Sequence, residues 1–205
     1  MRIAELLLPF GVSSLNPAQL RSISTYVDVL LKWNARINLT AVRRAEEVVT
    51  RHFGESLFTA RQLFPDGENS QVASVADVGS GAGFPGLPMK LWAPPVGLTL
   101  IESNQKKATF LKEVARSLTL MNVNIVTARA EQVVLGADVV TLRAVEKFET
   151  VLPTATRLVA SHGRIALLIG EGQVAVAQRA PGFVWTSPER IPLSKGRVLL
   201  VGQRQ

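Results

Sequence analysis

Three glycines at alternate positions follow an apolar segment in residues 75–83, VADVGSGAG. Glycine at these positions permits a tight turn and lets the backbone approach a ligand closely. The turn comes at the carboxyl end of a predicted strand, which is where open α/β sheets bind ligands. Because a plain strand-to-helix turn needs fewer glycines, we interpret this turn as part of a ligand site.

Two cofactors are compatible with such a turn. Residues 81–86 match the dinucleotide pattern G-x-G-x-x-G, but the match starts two residues late, and Pro85 lacks an amide that could bind a pyrophosphate. Asp77 places a carboxylate before the first glycine. A carboxylate there suits the cationic amino-acid end of a ligand and repels a pyrophosphate. The sequence therefore favours S-adenosylmethionine over NAD.

Further polar residues follow the carboxyl ends of the later predicted strands. Glu102 and Ser103 come about 20 residues after the glycines, the spacing of an acidic residue that accepts hydrogen bonds from ribose hydroxyls. Ala130 and Glu131 follow the third strand, where a backbone amide and a carboxylate could meet an adenine edge. Arg143 follows the fourth strand and could pair with a carboxylate or phosphate of cofactor or substrate. A structural ion pair is the alternative for Arg143.

Basic residues occur in three clusters, and the formal net charge is +7. One cluster lies in the amino-terminal quarter, one follows Glu102, and one lies near the carboxyl end. If the clusters converge around the cleft, they form a rim that binds the phosphates of an RNA; ordinary solvated faces are the alternative. The RNA-binding candidates are Arg36, Arg43, Arg44, Arg51, His52, Lys106, Lys107, Lys195 and Arg197.

Composition excludes several other chemistries. The chain has no cysteine, which rules out disulfides, thiolate metal sites and cysteine nucleophiles, and with only two histidines we expect no metal site. No apolar run reaches the roughly 18–20 residues that span a bilayer, and residues 1–9 are interpreted as an amphipathic helix rather than a signal peptide. We therefore expect a cytoplasmic protein without a membrane partner.

The elements that must position these residues can be predicted from periodicity. Residues 1–64 are predicted to form a helical extension, in which Asn16-Pro17 starts a helix that ends near Asn34. A second helical segment begins near Glu46 and runs to about residue 63, with a possible break at Gly54. Strands and helices alternate from residue 72 onward. The predicted strands are residues 72–78, 96–101, 123–127, 137–142, 163–169, 183–187 and 197–202, with helices from about 86, over 105–118 and over about 148–160.

Repeated β-α-β order implies a mostly parallel sheet with helices on both faces. The last two strands are joined by a short link and are expected to form an antiparallel hairpin. We therefore predict an α/β, Rossmann-like fold with a mostly parallel seven-stranded sheet. Residues 72–205 would form the cofactor-binding domain, and residues 1–64 its helical extension.

These motifs together resemble those of the GidB/RsmG family of bacterial ribosomal RNA methyltransferases, in order and over nearly the whole chain. The matching residues are Lys32-Trp33-Asn34 with Asn38-Leu39-Thr40, Arg51-His52 with Glu55-Ser56, Asp77 through Pro88, Glu102-Ser103 with Lys106-Lys107 and Phe110-Leu111, Arg129 with Glu131, and Arg143-Ala144. Two positions depart from the family pattern. Ile169 replaces the lysine that usually precedes Gly170, and Glu55 stands where aspartate is usual.

The resemblance implies a class I methyltransferase fold and S-adenosylmethionine-dependent methylation of N7 of one guanine in the decoding-region loop of 16S rRNA. It also implies that Gly79, Phe84, Ala130, Glu131 and Arg143 contact the cofactor. With the motif-based candidates, the predicted cofactor-binding residues are Asp77, Gly79, Ser80, Gly81, Gly83, Phe84, Glu102, Ser103, Ala130, Glu131 and Arg143. Arg143 is also expected to position the substrate.

Guanine N7 carries a lone pair and no proton, so its methylation requires no general base, and catalysis would consist of positioning. The partner would be 16S rRNA, the small ribosomal subunit or its precursor, and we expect a monomer. A small-molecule methyltransferase is the first alternative, and it would need neither the basic rim nor the helical extension. A nonenzymatic RNA-binding or dinucleotide-binding module is the second alternative.

Overall fold

The structure of the chain is a computed structural model that describes residues 2–71, 73–145 and 147–205. Its α-helices are α1 (Ile3–Leu7), α2 (Pro17–Asn34), α3 (Ala45–Glu47), α4 (Glu55–Leu63), α5 (Gly86–Trp92), α6 (Gln105–Ser117), α7 (Phe148–Arg157) and α8 (Val174–Ala177). A π-helical segment, Val48–Gly54, joins α3 to α4. The strands are β1 (Ser74–Val78), β2 (Gly97–Ile101), β3 (Val123–Val126), β4 (Ala137–Arg143), β5 (Val159–Gly170), β6 (Phe183–Trp185), β7 (Glu189–Arg190) and β8 (Arg197–Arg204).

Within the described residues these strands form one sheet in the order β3-β2-β1-β4-β5-β8-β6, and β7 pairs with β8. Strands β1 to β5 are parallel to their neighbours, whereas β8 is antiparallel to β5, β6 and β7. The chain leaves β1 towards β2 and β3 on one side, and later places β4 and β5 on the other. The carboxyl end of β1 is therefore the topological switch point, where sheets of this kind bind ligands.

Alternating side chains of the strands feed two hydrophobic clusters, one on each face of the sheet. Val75 in β1 belongs to the cluster that includes residues of α2, α4, α5 and α6, while its neighbour Ala76 belongs to the cluster that includes residues of α7 and α8. The predicted placement of helices on both faces is confirmed. Since α2 contacts both α5 and α6, the helical extension shares one apolar cluster with the sheet.

The start of α2 shows how the sequence specifies the extension. The Asn16 side chain accepts a hydrogen bond from the Gln19 amide at 2.9 Å, the Gln19 side chain accepts one from the Asn16 amide at 2.9 Å, and Pro17 occupies the first turn. This reciprocal cap satisfies two amides that have no partner inside the helix. The predicted start and end of this helix are both confirmed.

Three details of the predicted fold were wrong. The sheet of the described residues has eight strands instead of seven, because β7 lies in the connection that we expected to be a short hairpin link. A strand of two exposed polar residues has no alternating pattern, and only its pairing with β8 defines it. Helix α7 ends at Arg157 rather than near residue 160, and β5 begins at Val159 rather than at Gly163. The predicted strand over residues 72–78 is observed from Ser74, and Val72 lies outside the described residues.

In the part of the chain that the structure describes, none of the helices has both the length and the apolar character needed to cross a bilayer.

Candidate active site

The glycine turn after β1 needs glycine at each of its three alternate positions. Gly79, Gly81 and Gly83 have φ angles of +67°, +55° and +85°, in the left-handed region where other residues are strained. A Cβ atom at Gly83 would also overlap the side chains of Tyr26 and Leu87. The turn is therefore fixed both by backbone conformation and by the helical extension packed against it.

Three amides of this turn donate to acceptors on β2 and just after it. Gly79 and Ser80 donate to the Ile101 carbonyl at 2.9 and 3.1 Å, and Gly81 donates to the Glu102 carboxylate at 2.9 Å. The carbonyl oxygens of Gly79 and Gly81 accept no hydrogen bond from the described residues. A pyrophosphate needs amide donors, whereas carbonyl oxygens suit an ammonium group. The turn therefore offers acceptors that suit a cationic ligand end.

Asp77 lies behind the turn rather than in the lining of the cavities beside it. Its carboxylate accepts hydrogen bonds from the Thr141 hydroxyl at 2.7 Å and from the Gly86 amide at 3.2 Å. Complete burial raises the pKa of Asp77 to about 6, against the opposing effect of these hydrogen bonds. In this position Asp77 joins β1 to β4 and to the first residue of α5. Its direct contact with a cofactor stays a prediction.

A smaller cavity of about 210 Å³ extends from the turn along the ends of β2 and β3. Its lining includes Gly79, Glu102, Ser103, Ala130 and Glu131, all of which were predicted to contact the cofactor. The Glu102 carboxylate accepts hydrogen bonds from the Gly81 amide at 2.9 Å and from the Asn104 amide at 2.7 Å. Each of its oxygens can accept a further hydrogen bond from a ligand in the cavity. The cavity thus offers a fixed carboxylate for hydroxyl groups next to a wall of backbone.

Arg157 supports the wall of the smaller cavity and was not predicted. Its guanidinium donates to the Glu131 carbonyl at 3.0 Å, from α7. The same wall contains the 3₁₀ turn Ala130–Gln132, whose first amides have no partner inside the turn. Arg157 lies 26 positions after Glu131, so no local motif in the sequence connects it with this turn.

A larger cavity of about 630 Å³ adjoins the smaller one, and both share Gly79, Glu102, Ser103 and Val145. One wall is the segment 39–42, which follows α2, and the opposite wall is the end of β4. The remaining lining residues are Arg51, His52, Ser80, Gly81, Ala82, Phe84, Lys107, Arg143, Ala144 and Arg197. Residues from the extension, the sheet and the last strand therefore meet around one space.

Arg143 is held by a buried carboxylate while it lines this cavity. Its guanidinium nitrogens Nη2 and Nε lie 2.8 and 3.2 Å from the same Glu55 oxygen, and Arg197 pairs with the other oxygen. The Glu55 side chain is only 3% exposed. The sequence left two alternatives for Arg143, a structural ion pair and a residue of the cleft. In the structure the side chain is both ion-paired and part of the cavity lining. One carboxylate opposes two guanidinium groups, so the cluster keeps a net positive charge.

Aromatic rings connect the extension to the turn. The Tyr26 hydroxyl donates to the Ala82 carbonyl at 2.5 Å, and its ring stacks on Phe84 with centroids 5.3 Å apart. On the same ring of Phe84, His52 stacks at 4.9 Å and the Arg143 guanidinium lies 6.0 Å from the centroid. Burial raises the pKa of Tyr26 well above its usual value, so its hydroxyl stays a donor. Phe84 is thus fixed on several sides where it lines the larger cavity.

His52 is a neutral residue in a fixed tautomer. Burial, and then the charges of Arg143, Arg51 and Arg197, lower the pKa of His52 to about 3. Arg143 lies 3.1 Å from Nδ1 and can only donate, so Nδ1 accepts. The proton is therefore on Nε2, which donates to the Thr40 hydroxyl oxygen at 2.8 Å. His52 was predicted as an RNA-binding candidate, and the structure places it as a neutral link within the cavity wall.

Asn34 holds the segment 39–42 in place. Its amide nitrogen donates to the carbonyls of Thr40 and Val42 at 3.0 Å each, and its oxygen accepts from the amides of Leu39 and Thr40 at 3.0 and 3.1 Å. Chemical reasoning on the sequence missed this role. The only signal was the motif that contains both Asn34 and Asn38-Leu39-Thr40, which is explained by these four bonds.

The predicted RNA-binding residues divide into two groups. Arg51, His52, Lys107 and Arg197 line the larger cavity. The others lie outside its lining: Arg36, Arg43, Arg44, Lys106 and Lys195, all of them exposed. Of these, Arg43 donates to the Thr40 carbonyl at 2.8 Å and Arg44 pairs with Glu46 at 3.9 Å. Their contact with RNA stays a prediction.

Comparisons with known proteins agree with this geometry. A family described as GidB, rRNA small subunit methyltransferase G, matches residues 19–182. A ribosomal RNA small subunit methyltransferase G from Roseiflexus castenholzii (strain DSM 13941 / HLO8) is 36% identical over 203 residues, which cover 91% of this chain and 84% of the relative.

Two solved structures share the fold. A ribosomal protein L11 methylase from Lactobacillus delbrueckii subsp. bulgaricus has a TM-score of 0.61 and 15% identity, covering 76% of this chain and 79% of that one. M. jannaschii TYW2 in complex with AdoMet has a TM-score of 0.55 and 19% identity, covering 83% and 78%. The predicted Rossmann-like class I methyltransferase fold is confirmed.

Proposed function

This chain belongs to the GidB family of rRNA small subunit methyltransferases, and from that premise we propose that it methylates N7 of one guanine in the decoding-region loop of 16S rRNA. S-adenosylmethionine is the methyl donor. The observation that carries the proposal is the meeting of two cavities at the glycine turn. The smaller cavity suits the nucleoside of the cofactor, and the larger one leaves room for a base beside the methyl group.

The residues of the chain fit S-adenosylmethionine. The free carbonyl oxygens of Gly79 and Gly81 suit its ammonium group, and the fixed carboxylate of Glu102 suits its ribose hydroxyls. The turn at Ala130 and Glu131 supplies backbone amides for the adenine edge. When bound, the cofactor supplies an electrophilic methyl group on a sulfonium.

Positioning is what the protein has to contribute to this reaction. Guanine N7 attacks through a lone pair that carries no proton, so no general base is needed. The one histidine in the larger cavity, among the described residues, is neutral and already engaged on both ring nitrogens. Arg143 is fixed by Glu55 and packed over Phe84, so it can orient a substrate group with little loss of side-chain entropy.

The charge around the larger cavity favours RNA over a small neutral substrate. Four positive side chains belong to its lining: Arg51, Lys107, Arg143 and Arg197. The nearby negative side chains are Glu102, in the lining, and the buried Glu55, which pairs with Arg143 and Arg197. Such a rim binds phosphates with an affinity that falls as salt concentration rises. Because N7 lies in the deep groove of paired RNA, the target guanine must be unpaired or extruded to enter.

Methyl transfer to ribosomal particles tests the proposal. Small subunits and free 16S rRNA from cells that lack the enzyme are incubated with labelled S-adenosylmethionine, and the modified nucleoside is identified by mass spectrometry. We expect one 7-methylguanosine per 16S rRNA. Absence of transfer to both substrates, or transfer to free nucleosides that is independent of RNA and salt, would contradict it. NAD is a matched control in thermal shift, where only S-adenosylmethionine should stabilise the protein.

We further propose that the protein acts as a monomer in the cytoplasm, where bacterial ribosomes are assembled, and that residues 1–64 and 72–205 are its helical extension and its catalytic domain. Sedimentation of the purified protein with and without RNA measures the oligomeric state, and a stable dimer would contradict a monomer.

A further inference from the structure

A relay of hydrogen bonds fixes the polarity of the Thr40 hydroxyl. Arg143 donates to Nδ1 of His52 at 3.1 Å, which leaves the ring proton on Nε2, and Nε2 donates to Thr40 Oγ1 at 2.8 Å. The Val42 amide donates to the same oxygen at 3.2 Å. A hydroxyl oxygen has two lone pairs and one proton. Both lone pairs are therefore used, and Thr40 can act towards a further partner only as a donor.

The position of this donor is also fixed. Asn34 and Arg43 bind the backbone of Thr40, and the residue is half-buried in the lining of the larger cavity. The Thr40 hydroxyl donates to none of the described residues. A pre-oriented donor without a partner, at the wall of a cavity, is the arrangement with which proteins recognise one acceptor atom of a ligand.

We propose that the Thr40 hydroxyl donates a hydrogen bond to O6 of the target guanine and thereby selects guanine over adenine. The inference rests on the proposed function, since it requires a purine methylated at N7 in this cavity. Guanine carries an acceptor at position 6, where adenine carries an amino donor, and both purines have a free N7. A hydroxyl that can only donate therefore favours guanine at this position and disfavours adenine. The apolar side chains of Leu39, Val42 and Phe84 in the same lining suit a base rather than a phosphate.

Variants of Thr40 and a set of substituted substrates test the inference. 16S rRNA is prepared with guanine, inosine or 2,6-diaminopurine at the target position and assembled into small subunits. Inosine keeps O6, whereas 2,6-diaminopurine replaces it with an amino group. We expect Thr40→Val to lower kcat/KM about tenfold on guanine and inosine but not on 2,6-diaminopurine, since one hydrogen bond to O6 is lost. Thr40→Ser keeps the hydroxyl and should remain within about threefold of the wild type.

Three controls separate the possible failures. Thermal melting and the shift produced by S-adenosylmethionine show whether Thr40→Val is folded and still binds the cofactor. Thr156→Val makes the same change on α7, where the hydroxyl only donates to the Pro153 carbonyl, and should leave all three activities unaltered. An equal loss on all three bases in Thr40→Val would overturn the inference and indicate a contact with the RNA backbone. Inactivity of the wild type on guanine would overturn the proposed function, and the inference with it.

Discussion

Glu55 is the carboxylate on which two cavity arginines converge, and its replacement by glutamine tests the arrangement of the site. The change keeps the shape of the side chain and removes its charge. Arg143 and Arg197 then face each other without a counter-charge, next to a new amide donor. Removing one partner of a buried ion pair costs about 3–5 kcal/mol, and the side chains of Glu55 and Arg143 are only 3% and 9% exposed. For a domain of this size the melting temperature should fall by roughly 6–20 °C.

The exposed pair of Glu113 and Arg116 is a matched control. Its N–O distance of 2.9 Å is close to the 2.8 Å of the buried pair, but its arginine is 78% exposed. Glu113→Gln should therefore cost no more than about 1 kcal/mol. Glu55→Asp keeps the charge and should cost less than Glu55→Gln. Urea denaturation followed by circular dichroism measures all three variants, and an equal cost for Glu55→Gln and Glu113→Gln would refute the reasoning.

Three further predictions concern the walls of the site. The pKa of His52 is lowered from 6.5 to about 3 in the folded protein. As the pH falls from 7 to 4.5, the unfolded chain therefore binds a proton at this residue that the folded protein does not, and the fold should lose about 2–3 kcal/mol of stability. The free energy of unfolding of the wild type minus that of His52→Gln should shrink by that amount, and a constant difference would contradict it. Tyr26→Phe leaves the buried Ala82 carbonyl without its donor and should lower the free energy of unfolding by about 1–3 kcal/mol. It should also weaken the binding of S-adenosylmethionine. Denaturation measures the stability and calorimetry the affinity, and unchanged values of both would count against the link between the extension and the turn. Asn34→Ala removes four hydrogen bonds to the segment that contains Thr40 and should lower the free energy of unfolding by at least about 2 kcal/mol. The Thr40 amide should then exchange its hydrogen faster than in the wild type. Unaltered protection of this amide would contradict the role of Asn34.

Most of the fold was predictable because its elements carry strong local signals. The caps and apolar spacing of α2 and the apolar runs of β1 and β2 depend on residues that are close in sequence. The alternation of strands and helices then implies a parallel sheet. The errors fell where local signals are weak. The two polar residues of β7 and the boundary between α7 and β5 are defined by pairing with distant strands.

The site was predictable only in part, for a similar reason. Residues that follow the carboxyl ends of strands, such as Glu102 and Arg143, were found because parallel strands bring their ends to one edge. The hydrogen bonds that Asp77 accepts from Thr141 and Gly86 behind the turn could not be predicted, and its contact with a cofactor stays a prediction. Arg157 was missed because its carbonyl partners lie far away in the sequence.

The sequence by itself determined the kind of turn, the order of elements and the family. Glycines at 79, 81 and 83 can adopt positive φ angles that other residues resist, and this property belongs to the residues themselves. Only the tertiary structure decided what the polar side chains do. Whether Arg143 is free or paired depends on Glu55, 88 positions away, and the proton position of His52 depends on both Arg143 and Thr40. Hydrogen-bond partners and burial set charge and polarity, and those are properties of the folded chain.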